Sequence, residues 1–180
     1  IHILNAQAGP NLRDPFATHQ RIHLPLQIQT ADLGSLRAMI TPDLGIAPMD
    51  NAYRAIFSKR MSQISHHFAS VSDDNPDFID GDNCFEVLRC VNFVAAHGMR
   101  VRHNRELLSP NVVDNVDRGL NYKLSNVAEA HLQQSRIARS WLDLFEEIDV
   151  VICPAASTTP FSHDQWSVSE INGKSMETYM

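Results

Sequence analysis

Four groups of residues have types and spacings that could do chemistry. The first is Pro154 to His163, a loop that follows a short apolar run and carries Ser157, Thr158, Thr159 and Ser162. Ligand sites of α/β sheets gather just beyond strand C-termini, so this loop is the first place to look. The second is His163-Asp164, which reads as a base beside an orienting carboxylate. Neighbours on an extended chain point to opposite sides, which argues against it. The third is the set of nine histidines and three cysteines. No C-x-x-C spacing occurs, and His19 and His23 lie in a polar, turn-rich segment where they face solvent, so no metal site is expected. The fourth is Asp73-Asp74-Asn75-Pro76-Asp77. It lacks the glycine and terminal glutamate of a calcium loop and reads as a polar connection. Ser125, Ser135 and Ser140 fall at helix cap or surface positions, not on a nucleophile turn.

The elements that position the first loop are legible. Ala130, Gln134, Ile137, Ala138, Trp141, Leu144, Phe145 and Ile148 recur at steps of three and four, the stripe of a helix with one packed face. Ser125 reads as its N-cap. Glu146 and Glu147 sit in its last turn against the helix dipole, so the end is expected to rest on packing of Phe145 and Ile148. Asp149 breaks the pattern. Val150-Val151-Ile152-Cys153 then reads as a parallel strand covered on both faces, stopped by Pro154. Upstream, Leu36–Ile40 is a strand candidate. Asp50 caps a helix whose apolar stripe is Tyr53, Phe57, Met61, Ile64 and Phe68, and a second strand follows near 69–72. Strand, loop, helix, strand is a βαβ unit. Phe78 to Met99 is helical, with Phe85, Leu88, Val91, Asn92 and Ala95 as its face and Gly98 as its C-cap. Another helix begins near Pro110. Ile1 to Ala6 reads as the end of a helix closed by Gly9 and Pro10, and 11–33 as a surface connection. Asn172-Gly173 marks a hairpin after the alternating segment from Trp166. The fold class is therefore α/β, a mixed, mainly parallel sheet flanked by helices.

Three collinear blocks carry a resemblance. Ala8-Gly9-Pro10-Asn11-Leu12-Arg13-Asp14-Pro15 is the first. Leu36-Arg37-Ala38-Met39-Ile40, with Pro42-Asp43-Leu44-Gly45 and Pro48-Met49-Asp50, is the second. Phe145-Glu146-Glu147-Ile148-Asp149-Val150-Val151-Ile152-Cys153-Pro154, continuing to Pro160-Phe161-Ser162-His163-Asp164, is the third. The chain resembles the C-terminal portion of amidase signature enzymes. The resemblance implies hydrolysis of a carboxylic amide by a Ser nucleophile, a second Ser joined through a cis peptide, and a Lys that starts the proton relay. A desolvated neutral Lys can deprotonate a hydroxyl, and a Gly/Ser-rich loop lets backbone N–H groups reach the oxyanion. None of this machinery is present. No two of the seven glycines are adjacent, and Lys59, Lys123 and Lys174 are the only lysines. In the family that block lies upstream, so no catalytic residue is assigned and residues 1–180 are expected to be one incomplete piece of a larger domain. The resemblance makes the middle helices part of a substrate channel. It makes Cys153, Pro154, Ala155, Ala156 and Ser157 the candidate substrate-binding residues. Ala155 and Ser157 replace a threonine and a proline of the family pattern, giving a smaller and less polar wall.

The bulk numbers bound the rest. Hydrophobic content of 43% supports a core. A net charge of −6 with no basic run argues against nucleic acid, and no apolar run approaches membrane length. Cys84, Cys90 and Cys153 cannot all pair and read as buried free thiols of a reducing, cytoplasmic compartment. No cofactor is expected. The partner is a small-molecule amide, met through the parent enzyme. An incomplete sheet predicts self-association through an exposed edge. The alternatives are a non-catalytic scaffold or binding module derived from an amidase, and an unrelated α/β enzyme with a His-based site.

Overall fold

A computed structural model of the chain describes residues 2–10, 13, 25–27, 30–165 and 167–176. Asn11, Leu12, Asp14, Pro15, His19, His23 and Trp166 lie outside them. The chain divides into two units, Ile1–Asp32 and Leu33–Met180. The first holds α1 (His2–Gln7), followed by Gly9 at a φ of 144°.

The second unit is built on a three-stranded parallel sheet. β1 (Arg37–Ile40) leads through α2 (Asn51–Ile64) to β2 (Ser70–Ser72). Three helices follow, α3 (Gly81–Asn104), α4 (Pro110–Asn121) and α5 (Leu124–Glu147). The chain then returns as β3 (Val150–Ile152). The sheet order is β2-β1-β3, with Ala38 opposite Val71 and Val150. The central strand is the buried one: Ala38 is fully covered and Met39 nearly so. A hairpin of β4 (Glu170–Ile171) and β5 (Lys174–Ser175) turns at Asn172-Gly173. Both turn residues have positive φ, 52° and 81°, the geometry that twists a two-residue hairpin correctly. The α/β class, the βαβ unit and the hairpin are as the sequence pattern indicates.

The helices pack through α3. Cys84 and Val87 meet Ala130 of α5, with Leu88, Tyr122 and Val127 around them. α4 crosses α3 closely at Gly119, where an added Cβ would sit 2.6 Å from the Cys90 carbonyl oxygen and from Val94 Cγ2. Beside this crossing Glu86 accepts from Tyr122 Oη (2.7 Å) and from Arg118. Burial opposes the ionisation of Glu86, but those two donors outweigh it and its pKa falls. Burial and the bond to Glu86 push the Tyr122 phenol up to about 12.

Several local expectations change. Gly98 does not end α3, which runs on to Asn104. The packed face of α3 is Cys84, Val87, Cys90 and Val101, whereas Phe85, Asn92 and Ala95 are exposed. The spacing fits either face, and packing against two helices selects the one with smaller side chains. On α5, Ala138 and Phe145 are exposed, while Ile148, the C-cap, is half-buried. Arg37 also holds this helix end: one guanidinium nitrogen donates to the Glu146 carbonyl (3.2 Å), while the rest of the group grips Asp149 at 3.0 Å. The Arg37 side chain and its backbone N–H together draw Asp149 down to a pKa of about 2. α5 begins two residues earlier than a Ser125 cap allows, with Lys123 at the cap position, and Asn126 Oδ1 accepts from the Lys123 N–H (3.0 Å). β3 stops at Ile152 and lies half-buried at the edge of the sheet, not covered on both faces as its apolar run predicts; Cys153 is exposed. Cys84 and Cys90 are buried.

Candidate functional site

The loops beyond the C-terminal ends of β1, β2 and β3 are tied to one another. Thr41, fully buried, donates its hydroxyl to Asn75 Oδ1 (2.5 Å) and accepts from the Leu44 N–H (2.9 Å). This joins the loops that follow β1 and β2. Gly45 has a φ of 75°, and its missing side chain lets Asn75 approach to 3.0 Å of where a Cβ would lie. Asp43 accepts from the Gly45 N–H and pairs with Arg54 at 2.5 Å. Burial raises its pKa, but these donors outweigh that and hold it below the usual carboxylate value. Asp50 caps α2 by accepting from the N–H groups of Ala52 and Tyr53, and its own N–H donates to the Ser157 carbonyl (2.9 Å). The third loop is thereby pinned to the start of α2.

Beside these loops lies an open groove of about 680 Å³. Ile46 and Phe78, from the loops after β1 and β2, form one side. Phe85, Leu88 and Phe93 of α3 and Ile137 of α5 form much of the rest. Volume and lining match those of small-molecule sites: mostly apolar, with a few polar groups. Here the polar groups are Asp82, Arg89, Asn92 and Gln134. The Arg89 guanidinium stacks over the Phe85 ring, 5.4 Å from its centroid.

The structure sorts the candidates named from the sequence. Cys153, Ala155 and Ala156 are exposed, and Pro154 and Ser157 are half-buried on the third loop. Ser157 meets Asp50, but none of the five lines the groove. His163 and Asp164 are exposed, and Asp164 accepts from Ser162 (3.3 Å) rather than orienting the histidine. Lys59, Lys123 and Lys174 are exposed. No group of three metal-ligating side chains comes together among the described residues, and no helix among them is long and apolar enough to cross a membrane. The groove-lining Ile46, Phe78, Phe93 and Ile137 are not singled out as site residues by sequence reasoning. The available signal was α3 itself: Phe85, Leu88 and Asn92 share a face that reads as core and forms the groove wall, with Leu88 also packed against the core cluster.

No protein-family model matches the chain, and no curated protein matches it. Among solved structures the chain is similar to a bacterial aryl acylamidase belonging to the amidase signature enzymes family, with a TM-score of 0.67 and 12% identity. The likeness covers 81% of this chain and 33% of that one, so the chain spans about a third of that enzyme's length. At this identity it establishes the fold alone: a parallel sheet with flanking helices, similar to part of an amidase signature enzyme.

Proposed function

We propose that this chain is the scaffold and pocket-wall portion of an amidase, which hydrolyses the C–N bond of a carboxylic amide. The Ser nucleophile and Lys base come from residues outside these 180. The observation that carries the reading is the fold likeness to an amidase signature enzyme over four-fifths of the chain. The apolar groove supports it, since it lies beside the loops at the C-terminal ends of the strands, where α/β folds hold ligands. In this reading the groove takes the apolar part of the amide, and the Cys153–Ser157 loop adds a second stretch of wall. The exposed Lys59, Lys123 and Lys174 lack the desolvation that a Lys base needs.

The test has two arms. The purified chain is treated with a serine-directed fluorophosphonate probe and assayed with a simple aryl amide; neither labelling nor turnover is expected. The coding sequence preceding Ile1 is then read for a Lys and a Gly/Ser-rich loop. Labelling of the chain alone places a nucleophile within it and overturns the division of labour. An upstream sequence without those elements leaves the non-catalytic scaffold as the correct reading.

A further inference from the structure

We propose that the Asn172-Gly173 turn is a deamidation-controlled latch, a modification site whose intact amide pins the β4–β5 hairpin to the start of α2. This does not depend on the proposed function. Both polar atoms of the Asn172 side chain are engaged: Nδ2 donates to the Met49 carbonyl (2.8 Å), and Oδ1 accepts from the Asn51 N–H (3.1 Å). Met49 and Ile171 are buried, while Asn172 and Gly173 are exposed. Gly173 has no atom within 4 Å of where a Cβ would stand, so no other segment crowds the turn on that side of its α-carbon. These are the reactants of a known intramolecular step. The Gly173 nitrogen, losing its proton to solvent, attacks Asn172 Cγ. The Cγ–Nδ2 bond breaks, ammonia leaves and a cyclic imide forms. Water then opens either carbonyl, giving aspartate or the isomer linked through its β-carboxyl group.

The products differ in what they leave in place. Aspartate keeps an acceptor for the Asn51 N–H at the helix N-terminus but presents a carboxylate to the Met49 carbonyl, where a donor had been. The isoaspartyl form adds a methylene to the backbone of a two-residue turn and loses both bonds. Because the Asp50 N–H also holds the Ser157 carbonyl, release of the hairpin loosens the anchorage of the Cys153–Ser157 loop.

The experiment uses the full chain, aged in warm, mildly alkaline buffer, with peptide mapping by mass spectrometry and amide hydrogen exchange. Deamidation is expected at Asn172 and about thirtyfold slower in native protein than in guanidinium-unfolded chain, since two hydrogen bonds must open first. Exchange at the Asn51 amide, and at the Met176 amide that donates to the Ser169 carbonyl across the hairpin (2.9 Å), is expected to rise several-fold in Asn172→Asp, and further in the isoaspartyl fraction. Equal rates in folded and unfolded chain overturn the proposal, as does unchanged exchange in the modified protein. If Asn172→Asp fails to fold, the aged wild-type fraction supplies the same readout.

Discussion

Two glycines inside helices give opposite answers to the same substitution. At Gly119 an added Cβ meets the Cys90 carbonyl oxygen and Val94 Cγ2 at 2.6 Å, and the Cys90 carbonyl carbon at 2.9 Å. Two of these three atoms are backbone, so no rotamer change relieves the contact, and α4 must move away from α3. Overpacking of this kind costs up to about 3 kcal/mol, and replacing Gly by Ala in a helix returns about 1 kcal/mol. Gly119→Ala is therefore expected to destabilise by roughly 2 kcal/mol. At Gly98 the nearest atom to an added Cβ is Val94 Cγ1 at 3.7 Å, an ordinary contact. Only the conformational gain remains, so Gly98→Ala should stabilise by about 0.5–1 kcal/mol. With a urea m value of about 2 kcal/mol/M, the midpoint falls by about 1 M in the first variant and rises by about 0.3–0.5 M in the second. A Gly119→Ala midpoint at or above wild type refutes the close α3–α4 crossing. A Gly98→Ala midpoint well below wild type refutes the continuous α3, because it would mean that Gly98 ends a helix as its spacing first suggests.

Other outcomes follow from single contacts. Asp50→Ala removes the cap of α2 and should cost about 1 kcal/mol by the same urea measurement. Tyr122→Phe removes a donor to the Glu86 carboxylate and should cost about 1.5–3 kcal/mol, because the acceptor is charged. Asp149 has a folded pKa of about 2 against an ordinary 3.8, so its pairing with Arg37 stabilises fully above the ordinary value. That contribution drains away as the pH falls through about 2. Asp149→Asn should thus melt lower than wild type at neutral pH, with the gap closing in acid; a gap that does not shrink contradicts the pairing. The chain should elute from size exclusion earlier as its concentration rises, whereas one sharp monomer peak at all concentrations removes self-association.

The sheet was legible because two of its three strands carry a local mark. Leu36–Ile40 stands before a Pro- and Gly-bearing loop and a capped helix, and Val150–Ile152 stands between Asp149 and Pro154. Asn172-Gly173 fixed the hairpin by turn chemistry alone. The ionic details were not legible. That Asp149 grips Arg37, 112 residues away, is a consequence of β1 and β3 being neighbours, and no local pattern encodes it. The site was half legible. The rule that places ligands beyond strand ends pointed to the loop after β3, whose Cys153–Ser157 does not line the groove, whereas the same rule applied to β1 and β2 leads to Ile46 and Phe78, which do. The rest of the groove was hidden because Phe85 and Leu88 have the spacing of core residues.

That ambiguity has a physical source. A helix packed on two neighbours needs small residues where backbones approach, and α3 meets this need with Cys84, Val87 and Cys90, facing Ala130 and Gly119. Its larger residues are displaced to the open side: Phe85 is 52% exposed and Met99 66%. Periodicity weights residues by hydrophobicity, so it favours the larger face, whereas close packing favours the smaller one. The same inversion occurs on α5, where Ala130 is buried and Leu132 and Leu142 are exposed. An apolar face left open on both helices that bound the groove is costly in water. Substrate, or the rest of an amidase fold, would cover it, and under the proposed function both do.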